Sequence, residues 1–369
     1  MTLNKSHNIL ICPLEWGLGH AARMIPLAKR LREMNNNIFI GSGDQHLSLF
    51  QNEFSDLTYI SFPGFRPGYS RFLPPYLSIL LKTPLLLYHI IREHLMLKEI
   101  IRKHDIDVVI SDNRFGLWNR NVMTVYVTHM PLIPLPKPLR FLEFIGISLH
   151  RNIIKKYSLC FIPDLPGELN VSGRLSHGIK LPDNVRYIGI LSRFEALLSS
   201  TSKNPAKYAT VILSGPEPQR EILRQKIIAR FKNEDFKTLI LEGKPGKKIE
   251  RVISGNVTFY NHLATQEMKD LITGSNLVLT RSGYTTIMEL ISLKCSALLI
   301  PTPGQTEQEY LAEYLSEKGW FSAITQSEID TTITFPVKTK IIPGEITEQS
   351  NFLLTKALEE MLEHCHKKS

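Results

Sequence analysis

The stretch that decides the fold runs from residue 274 to residue 314 and reads GSNLVLTRSGYTTIMELISLKCSALLIPTPGQTEQEYLAEY. An apolar run over 276–280 is followed by a turn at 281–284 and by apolar residues at helical spacing over 285–293. A second apolar run, 296–300, ends in a turn with proline and glycine, and 306–317 is again helical in pattern. Two strands joined by a helix predict a parallel pair, whose following loops lie at the sheet edge where ligands bind.

The loop after the first of these strands has the chemistry of a phosphate site. Ser282, Gly283 and Thr285 lie where a helix begins, and free backbone N–H groups and the helix dipole attract phosphate there. Glu289, one turn further on, can accept hydrogen bonds from two ribose hydroxyls. The pattern predicts a nucleoside diphosphate ligand. The alternative is an ordinary strand–helix unit in which Gly283 only makes the turn and Glu289 is solvated.

The same region carries a family resemblance. The segments RSGYTTIMEL and LIPTPGQTEQEYLAEYL resemble the donor-nucleotide motif of GT-B glycosyltransferases of family 28 related to MurG. In that family the helix start holds the diphosphate, the helix glutamate binds ribose and polar residues after the second strand hold the sugar. The resemblance therefore implies three sets: Ser282, Gly283 and Thr285 for diphosphate; Glu289 for ribose; Gln305, Gln308 and Glu309 for sugar. The family commonly has two glutamines where this chain has Gln308 and Glu309, which leaves the sugar open.

A second glycine-rich turn follows the first predicted strand. Residues 8–12 predict a strand and residues 18–34 an amphipathic helix, with Gly17 and Gly19 between them. A bare Gly-x-Gly is a weak signal, and this one lacks the third glycine and the later acid of a dinucleotide-binding fingerprint. The segment GLGHAAR, 17–23, nevertheless resembles the amino-terminal glycine loop of the same family, although Glu15 and Trp16 precede it in place of further glycines. We therefore place Gly17 and Gly19 among the donor-binding residues.

Two residues are candidates for the catalytic base. His20 lies at the start of the first helix and could act as a general base, as an electrostatic partner of the leaving diphosphate, or only as a helix cap. Asp112 follows a predicted strand at 107–110 on the same sheet edge, and a carboxylate there can also deprotonate a hydroxyl. Asp and Asn also simply form turns. Both readings of each residue remain open at the level of the sequence.

The chain is long enough for two hydrophobic cores, since 369 residues exceed what one core usually supports. The segment 199–205, SSTSKNP, has the composition of a linker. After it comes another strand–glycine–helix unit, in which Ser214 and Gly215 fit a donor-phosphate loop. The resemblance implies the GT-B fold, two Rossmann-like, doubly wound α/β domains with parallel sheets that face a central cleft. We predict an acceptor-binding domain over 1–195, a donor domain over 206–345 and a closing helix over 346–369 that returns to the first domain.

Positive charge is concentrated in the first half of the chain. Residues 1–190 contain 22 Lys and Arg against 14 Asp and Glu, whereas residues 191–369 contain 22 against 21. No nucleic-acid-binding motif accompanies this excess, so we expect an anionic membrane surface as the partner. The predicted contact is the loop 63–75, through Phe65, Arg66, Tyr69, Arg71, Phe72 and Leu73. The helical stretch behind it, 76–102, is predicted to pack in the core.

Other features indicate the compartment. The sequence has no uncharged apolar run of about 18 residues and no signal-peptide layout at its start. Its four cysteines are far apart, which favours free thiols in a reducing cytosol over disulfides or a metal site. We expect a cytoplasmic protein that is peripheral on the inner face of the plasma membrane.

The predicted function is transfer of a sugar from a UDP-sugar to a hydroxyl, with inversion and without a metal or other cofactor. The acceptor is expected to be lipid-linked or a cell-envelope glycan. Developing charge on the leaving diphosphate would be stabilised by the helix starts at Ser214 and Ser282 and by Arg281. One alternative is a UDP-sugar hydrolase, resembling that of pseudaminic acid synthesis, in which His20 activates water. Another is a non-catalytic sugar-nucleotide-binding subunit.

Overall fold

The computed structural model describes residues 6–66, 81–194, 206–215, 217–244, 249–329 and 340–366. The chain divides into an amino-terminal unit, residues 1–68, 76–191 and 345–369, and a carboxyl-terminal unit, residues 69–75 and 192–344. The division at residue 191 falls a few residues before the predicted linker. That linker, 199–205, and residues 67–75 of the predicted membrane loop lie outside the described residues.

The amino-terminal unit is built on a seven-stranded sheet with the order β3-β2-β1-β4-β5-β6-β7, in which every pair is parallel. Its central strands are buried along their whole length, as in a sheet covered on both faces. The strands are β1 (Asn8–Cys12), β2 (Asn37–Ser42), β3 (Thr58–Ser61), β4 (Val108–Asp112), β5 (Met123–Val127), β6 (Leu159–Ile162) and β7 (Val185–Tyr187). The helices of its first two segments are α1 (Leu18–Glu33), α2 (Asp44–Glu53), α3 (Thr83–Lys103) and α4 (Glu143–Ile154).

The carboxyl-terminal unit has a second seven-stranded sheet, ordered β10-β11-β9-β8-β12-β13-β14. All its pairs are parallel except the hairpin of β10 and β11, which the sequence reading missed. The strands are β8 (Ala206–Ile212), β9 (Lys237–Leu241), β10 (Arg251–Ser254), β11 (Val257–Tyr260), β12 (Ser275–Thr280), β13 (Leu298–Leu299) and β14 (Ser322–Ala323). The helices are α5 (Gln219–Phe231), α6 (Thr265–Thr273), α7 (Tyr284–Ser292) and α8 (Thr306–Glu317).

The last helix, α9 (Glu345–His366), belongs to the amino-terminal unit. Arg186 on β7 donates to Glu360 at 2.8 and 2.9 Å. Gly189 has φ +74°, and a Cβ there would lie 2.2 Å from the Cα of Ser350. Glycine is therefore required at residue 189 both by its backbone conformation and by the close approach of α9.

Each sheet has one place where the strand order reverses. In the amino-terminal unit the reversal lies between β1 and β4, and in the carboxyl-terminal unit it lies between β8 and β12. A crevice at the carboxyl ends of the strands at such a switch point is the usual ligand site of an open parallel sheet. The predicted fold of two doubly wound parallel-sheet units is confirmed, and each switch point is flanked by loops that the sequence singled out.

The structure corrects two predictions about residues 63–102. Phe65 does not project toward a membrane, because it is only 4% exposed and packs against Trp16 and His89. The helix behind the loop packs in the core as predicted, but with only some of its apolar residues. Helix α3 buries Leu97 and Ile100 but exposes a stripe at helical spacing, namely Leu85, Tyr88, Ile91 and Leu95. The sequence pattern located the amphipathic helix correctly but assigned its apolar face to the core.

Candidate functional site

At the switch point of the amino-terminal unit, His20 lies beside Asp112. His20 is in the first turn of α1, after the β1 loop, and Asp112 is the last residue of β4, not part of a following turn. The Nδ1 atom of His20 is 2.9 Å from Oδ2 of Asp112. Asp112 is fully buried and the side chain of His20 is 20% exposed. The two base candidates are therefore one hydrogen-bonded pair, of which only the imidazole reaches the surface.

Arg23, one turn along α1, completes this pair. Its Nε donates to Asp112 Oδ2 at 3.0 Å, and its Nη2 donates to the other carboxylate oxygen. Nη2 also lies 2.6 Å from His20 Nδ1, and Nη1 lies 3.2 Å from Nδ1 of His129. If His20 Nδ1 carries the proton, the ring donates to Asp112 and Nε2 is left as a base. If it does not, Nδ1 accepts from Arg23 and Nε2 is a donor.

Burial and charge set the protonation of the pair. Burial, reinforced by Arg23 and opposed by Asp112, lowers the pKa of His20 below its ordinary 6.5. Burial alone would raise the pKa of Asp112, but Arg23 and His20 outweigh it and lower that pKa to about 2. At neutral pH the pair is thus a neutral imidazole against a carboxylate, which is the state that a general base requires.

Glu15 and His46 border the same edge. Glu15 lies in the β1–α1 loop, and its Oε1 accepts the backbone N–H of Gly43 at 2.5 Å and that of Gly64 at 3.2 Å. Its Oε2 accepts from Arg66 Nε at 2.5 Å. His46, in the first turn of α2, is 4% exposed, and its Nδ1 is buried without a hydrogen-bond partner among the described residues. Glu15, which stands where the family has a glycine, therefore links three loops of the amino-terminal unit.

Acidification should destabilise the amino-terminal unit through His46. Burial lowers the pKa of His46 from 6.5 to about 4. The folded state binds a proton at His46 less readily than the unfolded state. The free energy of unfolding is therefore unaffected by this residue above pH 6.5 and decreases as pH falls toward 4. At pH 5 the loss should be about 2 kcal/mol. Buried His150, whose pKa is likewise lowered to about 4, adds to the total pH dependence. In urea unfolding at pH 7 and pH 5, His46→Gln should therefore reduce the difference by about 2 kcal/mol, and His364→Gln, at an exposed position on α9, should not. An equal pH dependence in His46→Gln and wild type would contradict the assignment.

In the carboxyl-terminal unit, hydrogen bonds connect the loop after β12 to the segment after β13. Arg281 is fully buried, and its guanidinium donates to the backbone oxygens of Ile300 and Pro301, each at 3.1 Å. Ser282 Oγ donates to the backbone oxygen of Gln308 at 2.7 Å. Burial lowers the pKa of Arg281 to about 10. The prediction that Arg281 is a cation for the leaving diphosphate is therefore corrected, since its side chain holds the two loops together inside the unit.

Glu289 is also more enclosed than expected. It is 4% exposed, and its Oε1 lies 2.8 Å from Nε of Arg193. The Arg193 segment is tied to α7 a second time, because the hydroxyls of Ser192 and Ser292 are 2.6 Å apart. The alternative of a solvated glutamate is thus wrong. A ribose would have to share this carboxylate with Arg193.

The residues predicted for the sugar brace the loop between β13 and α8. Gln308 is buried and its Oε1 accepts the N–H of Thr302 at 2.9 Å. Glu309 is exposed and its Oε1 accepts the N–H of Gly304 at 2.8 Å. Gln305 is the N-cap residue of α8 and is half-buried. All three residues lie on one loop and helix start, as predicted.

The glycines predicted to bind the donor differ in backbone conformation and in the space around them. Gly215, which follows Ser214 after β8, has φ +91°, so its backbone conformation favours glycine. Gly283 has φ −74° at the start of α7, and Gly17 has φ 169° at the start of α1. A Cβ at either of these two would meet nothing within 4 Å. Their open surroundings leave room for a ligand. Gly19 lies in the first turn of α1 and Thr285, half-buried, in that of α7.

The described residues contain no cluster of three or more His, Cys, Asp or Glu that could hold a metal ion. Within the same ranges, no helix has the length and apolar character needed to cross a membrane. The four cysteines, all of them described, form no disulfide bond with one another.

Several residues of these sites were missed from the sequence. Arg23 and Arg193 were not assigned, and neither were His46 and His129. The two histidines had a usable signal: His46 follows β2 and His129 follows β5, and β2, β1, β4 and β5 are neighbours in one parallel sheet. Strand order would have brought them to the edge that holds His20. For Arg193 no local pattern existed, since its partner lies 96 positions away.

Comparisons with known proteins agree with this description. Residues 220–341 match the glycosyltransferase family 28 C-terminal domain. A UDP-N-acetylglucosamine–N-acetylmuramyl-(pentapeptide) pyrophosphoryl-undecaprenol N-acetylglucosamine transferase of Listeria monocytogenes is 26% identical over 140 residues, 36% of this chain and 39% of that protein. The transferase of the same name from Sulfurihydrogenibium is 24% identical over 132 residues, 35% and 37% of the two chains. The chain thus spans less than two fifths of the length of these relatives.

Solved structures show the same fold over almost the whole chain. The glycotransferase of kitacinnamycin has a TM-score of 0.60 and 13% identity and covers 99% of this chain and 95% of its own. The glycosyltransferase SnogD of Streptomyces nogalater has a TM-score of 0.55 and 15% identity, with 98% of both chains covered. An Arabidopsis thaliana protein complexed with UDP-L-rhamnose has a TM-score of 0.59 and 11% identity, covering 98% and 99%. The chain therefore has the GT-B fold, and its residues 220–341 match the glycosyltransferase family 28 C-terminal domain.

Proposed function

We propose that this chain transfers a sugar from a UDP-sugar to a hydroxyl acceptor, with inversion and without a metal. The observation that carries the proposal is the pair of His20 and Asp112 at a sheet switch point, in a chain whose other unit matches a glycosyltransferase family 28 domain. We assign the acceptor to the amino-terminal unit and the nucleotide sugar mainly to the carboxyl-terminal unit, with Gly17 and Gly19 of the amino-terminal unit also assigned to the donor.

In the proposed mechanism, His20 Nε2 removes the proton of the acceptor hydroxyl as that oxygen attacks the anomeric carbon and the bond to UDP breaks. Asp112 accepts a hydrogen bond from Nδ1–H, which stays on the ring, and its negative charge stabilises the imidazolium that forms, while Arg23 keeps Asp112 ionised. The helix starts near Ser214 and Gly283 supply N–H groups for the charge that develops on the diphosphate. Ribose is assigned to Glu289, and the sugar to Gln305, Gln308 and Glu309.

A panel of nucleotide sugars, incubated with and without a lipid extract, tests this function. A glycosylated product that requires the lipid supports the transferase. Free sugar released from the donor without lipid would support a hydrolase, and binding without turnover would support a non-catalytic subunit. The relatives and structures compared above are transferases by name, and nothing in them supports the hydrolase alternative.

The lipid-linked acceptor and the membrane surface belong to the same proposal. The relatives act by name on a pyrophosphoryl-undecaprenol, which is a lipid. In this chain the exposed stripe of α3 is accompanied by a second one around α4, at Phe141, Phe144, Ile145 and Leu149. Exposed basic residues lie on the same elements, among them Arg92, Lys98, Lys137 and Arg140. Apolar side chains that enter a bilayer beside cations that meet lipid phosphates give reversible attachment.

We therefore expect binding to anionic vesicles that depends on α3 and α4. Each basic residue near an anionic surface contributes about 1 kcal/mol, and the electrostatic part weakens with salt. In sedimentation with phosphatidylglycerol vesicles, Ile91→Glu with Phe144→Glu should lower the bound fraction at least about tenfold. Phe352→Glu, which changes an exposed apolar residue of α9, is the control and should bind like wild type. Failure of the wild type to bind at low salt would favour a soluble acceptor.

A further inference from the structure

We infer that the acceptor is uncharged at its reacting end, a sugar or glycerol hydroxyl with no phosphate next to it. The inference rests on the proposed function and names the acceptor class for it. It separates this chain from its relatives, whose acceptor is by name a pyrophosphoryl lipid. The charges and N–H donors at the sheet edge of the amino-terminal unit support this acceptor class.

Each of three arginines described at that edge has a carboxylate partner. Arg23 pairs with Asp112, Arg66 with Glu15 at 2.5 Å, and Arg114 with Glu93 at 3.3 Å. The first and third pairs are almost fully buried. A guanidinium that already neutralises a buried carboxylate contributes little net attraction for a second anion.

Two histidines at this edge, His20 and His46, do not add positive charge. The pKa of His20 is lowered and that of His46 is lowered to about 4, in both cases mainly by burial. Both imidazoles are therefore neutral at pH 7. Among these residues a pyrophosphate would meet paired arginines and two neutral rings.

Glu15 also removes backbone donors. Phosphate sites in glycine-rich loops use free N–H groups, and here a carboxylate occupies the N–H groups of Gly43 and Gly64. A Cβ at Gly43 would lie 2.8 Å from Glu15 Oε1 and 2.5 Å from an Arg66 nitrogen, so this space is filled by the ion pair. The start of α1 remains, and we assign it to the donor through Gly17 and Gly19.

A small cavity near this edge has a largely apolar lining. Its volume is about 20 Å³, room for about one water molecule, and it is lined by Asn113, which follows Asp112, and by Trp16, Phe65 and Phe115. Glu93 and Arg114 line it too, and among the described residues Arg114 Nη2 is buried without a hydrogen-bond partner. Aromatic rings beside one N–H donor and a paired carboxylate are poor surroundings for a phosphate.

The excess positive charge lies elsewhere in the unit. A separate surface pocket near the amino ends of β5 and β6 is lined by Trp118, Arg120, Lys155 and Lys156, with no acidic residue among its lining. This pocket is at the opposite sheet edge from His20 and Asp112. The basic character of residues 1–190 therefore does not argue for a phosphate at the reacting edge.

A matched pair of acceptors tests the inference. Both compounds carry the same terminal sugar and the same prenyl chain, joined in one by a glycosidic bond and in the other through a pyrophosphate. Calorimetry with the full chain and saturating UDP should give at least about tenfold tighter binding of the neutral glycoside. Equal or tighter binding of the pyrophosphoryl compound would overturn the inference. Turnover of the same compounds reports separately on the proposed function, since loss of UDP-sugar without a glycosylated lipid would count against the transferase only.

The variant Glu15→Gln tests whether the Glu15–Arg66 ion pair is what disfavours the pyrophosphate. The amide oxygen still accepts the N–H groups of Gly43 and Gly64, while Arg66 loses its counter-charge. The Kd of the pyrophosphoryl compound should fall about tenfold and that of the neutral glycoside should change less than about threefold. Glu33→Gln, which frees Arg30 at the other end of α1, is the matched control and should change neither. An unchanged Kd for the pyrophosphoryl compound in a folded Glu15→Gln protein would also count against the inference.

Discussion

Replacing His20 with alanine should lower kcat about a thousandfold and change UDP affinity by less than about threefold. The reason is that the imidazole is the partly exposed member of a buried pair, with Nδ1 held 2.9 Å from Asp112 and Nε2 left for the acceptor proton. A base acts in the transition state, so its loss affects the rate more than donor binding. Single-turnover kinetics and UDP calorimetry on the same preparation provide the two measurements.

Asp112→Asn separates orientation from proton removal. An amide can donate to Nδ1 and favour the tautomer with a protonated Nε2, which costs up to about 10⁴ in kcat at a comparable pair. The loss should therefore approach that of His20→Ala although the histidine is present. If kcat and UDP affinity fell together in both variants, or if neither fell, His20 would have a structural role.

The pH dependence of kcat/KM gives an independent check on His20. Since burial and Arg23 lower its pKa below 6.5, the neutral base persists into mildly acidic conditions. The acidic limb of the profile should accordingly lie below pH 6.5, and it should be absent from the residual activity of His20→Ala. An acidic limb centred above 6.5 would mean that a different group is the base.

The sequence predicted those parts of the fold that depend on local pattern. Apolar runs and glycine turns located the central strands of both sheets and the loops at both switch points, so His20 and Asp112 could be expected at one edge, whereas β7, β10 and β14 were not predicted. What it could not predict were pairings between distant side chains. The burial of Arg281 depends on carbonyl groups 19 and 20 positions away, and Phe65 is buried only because Trp16 and His89 fold against it.

Amphipathic patterns posed a related difficulty. Helix α3 has an apolar stripe, and such a stripe is equally compatible with the core and with an exposed binding face. The choice depends on how much of the sheet is already covered, which is a property of the whole unit. The same limit applies to Glu289, whose helical position was predicted correctly but whose partner Arg193 comes from a segment that carries no motif.

Glu289→Ala should lower the melting temperature of the protein and weaken UDP binding about a hundredfold. The carboxylate is buried and lies 2.8 Å from Arg193, and removing one member of a buried ion pair costs about 3–5 kcal/mol. For a unit of this size that corresponds to a shift of roughly 6–15 °C. Loss of the proposed acceptor for two ribose hydroxyls accounts for the hundredfold, about 2.7 kcal/mol.

Arg193→Ala is the control that separates these two effects. It removes the Arg193 guanidinium from the buried carboxylate of Glu289, so it should destabilise the protein by a similar amount, yet it retains the oxygens that we assign to ribose. UDP affinity, measured by calorimetry well below both melting temperatures, should stay within about threefold of wild type in Arg193→Ala and fall only in Glu289→Ala. If both variants lost UDP affinity equally, the pair would be a structural bond between α7 and the segment at residues 192–194, and ribose would be bound elsewhere.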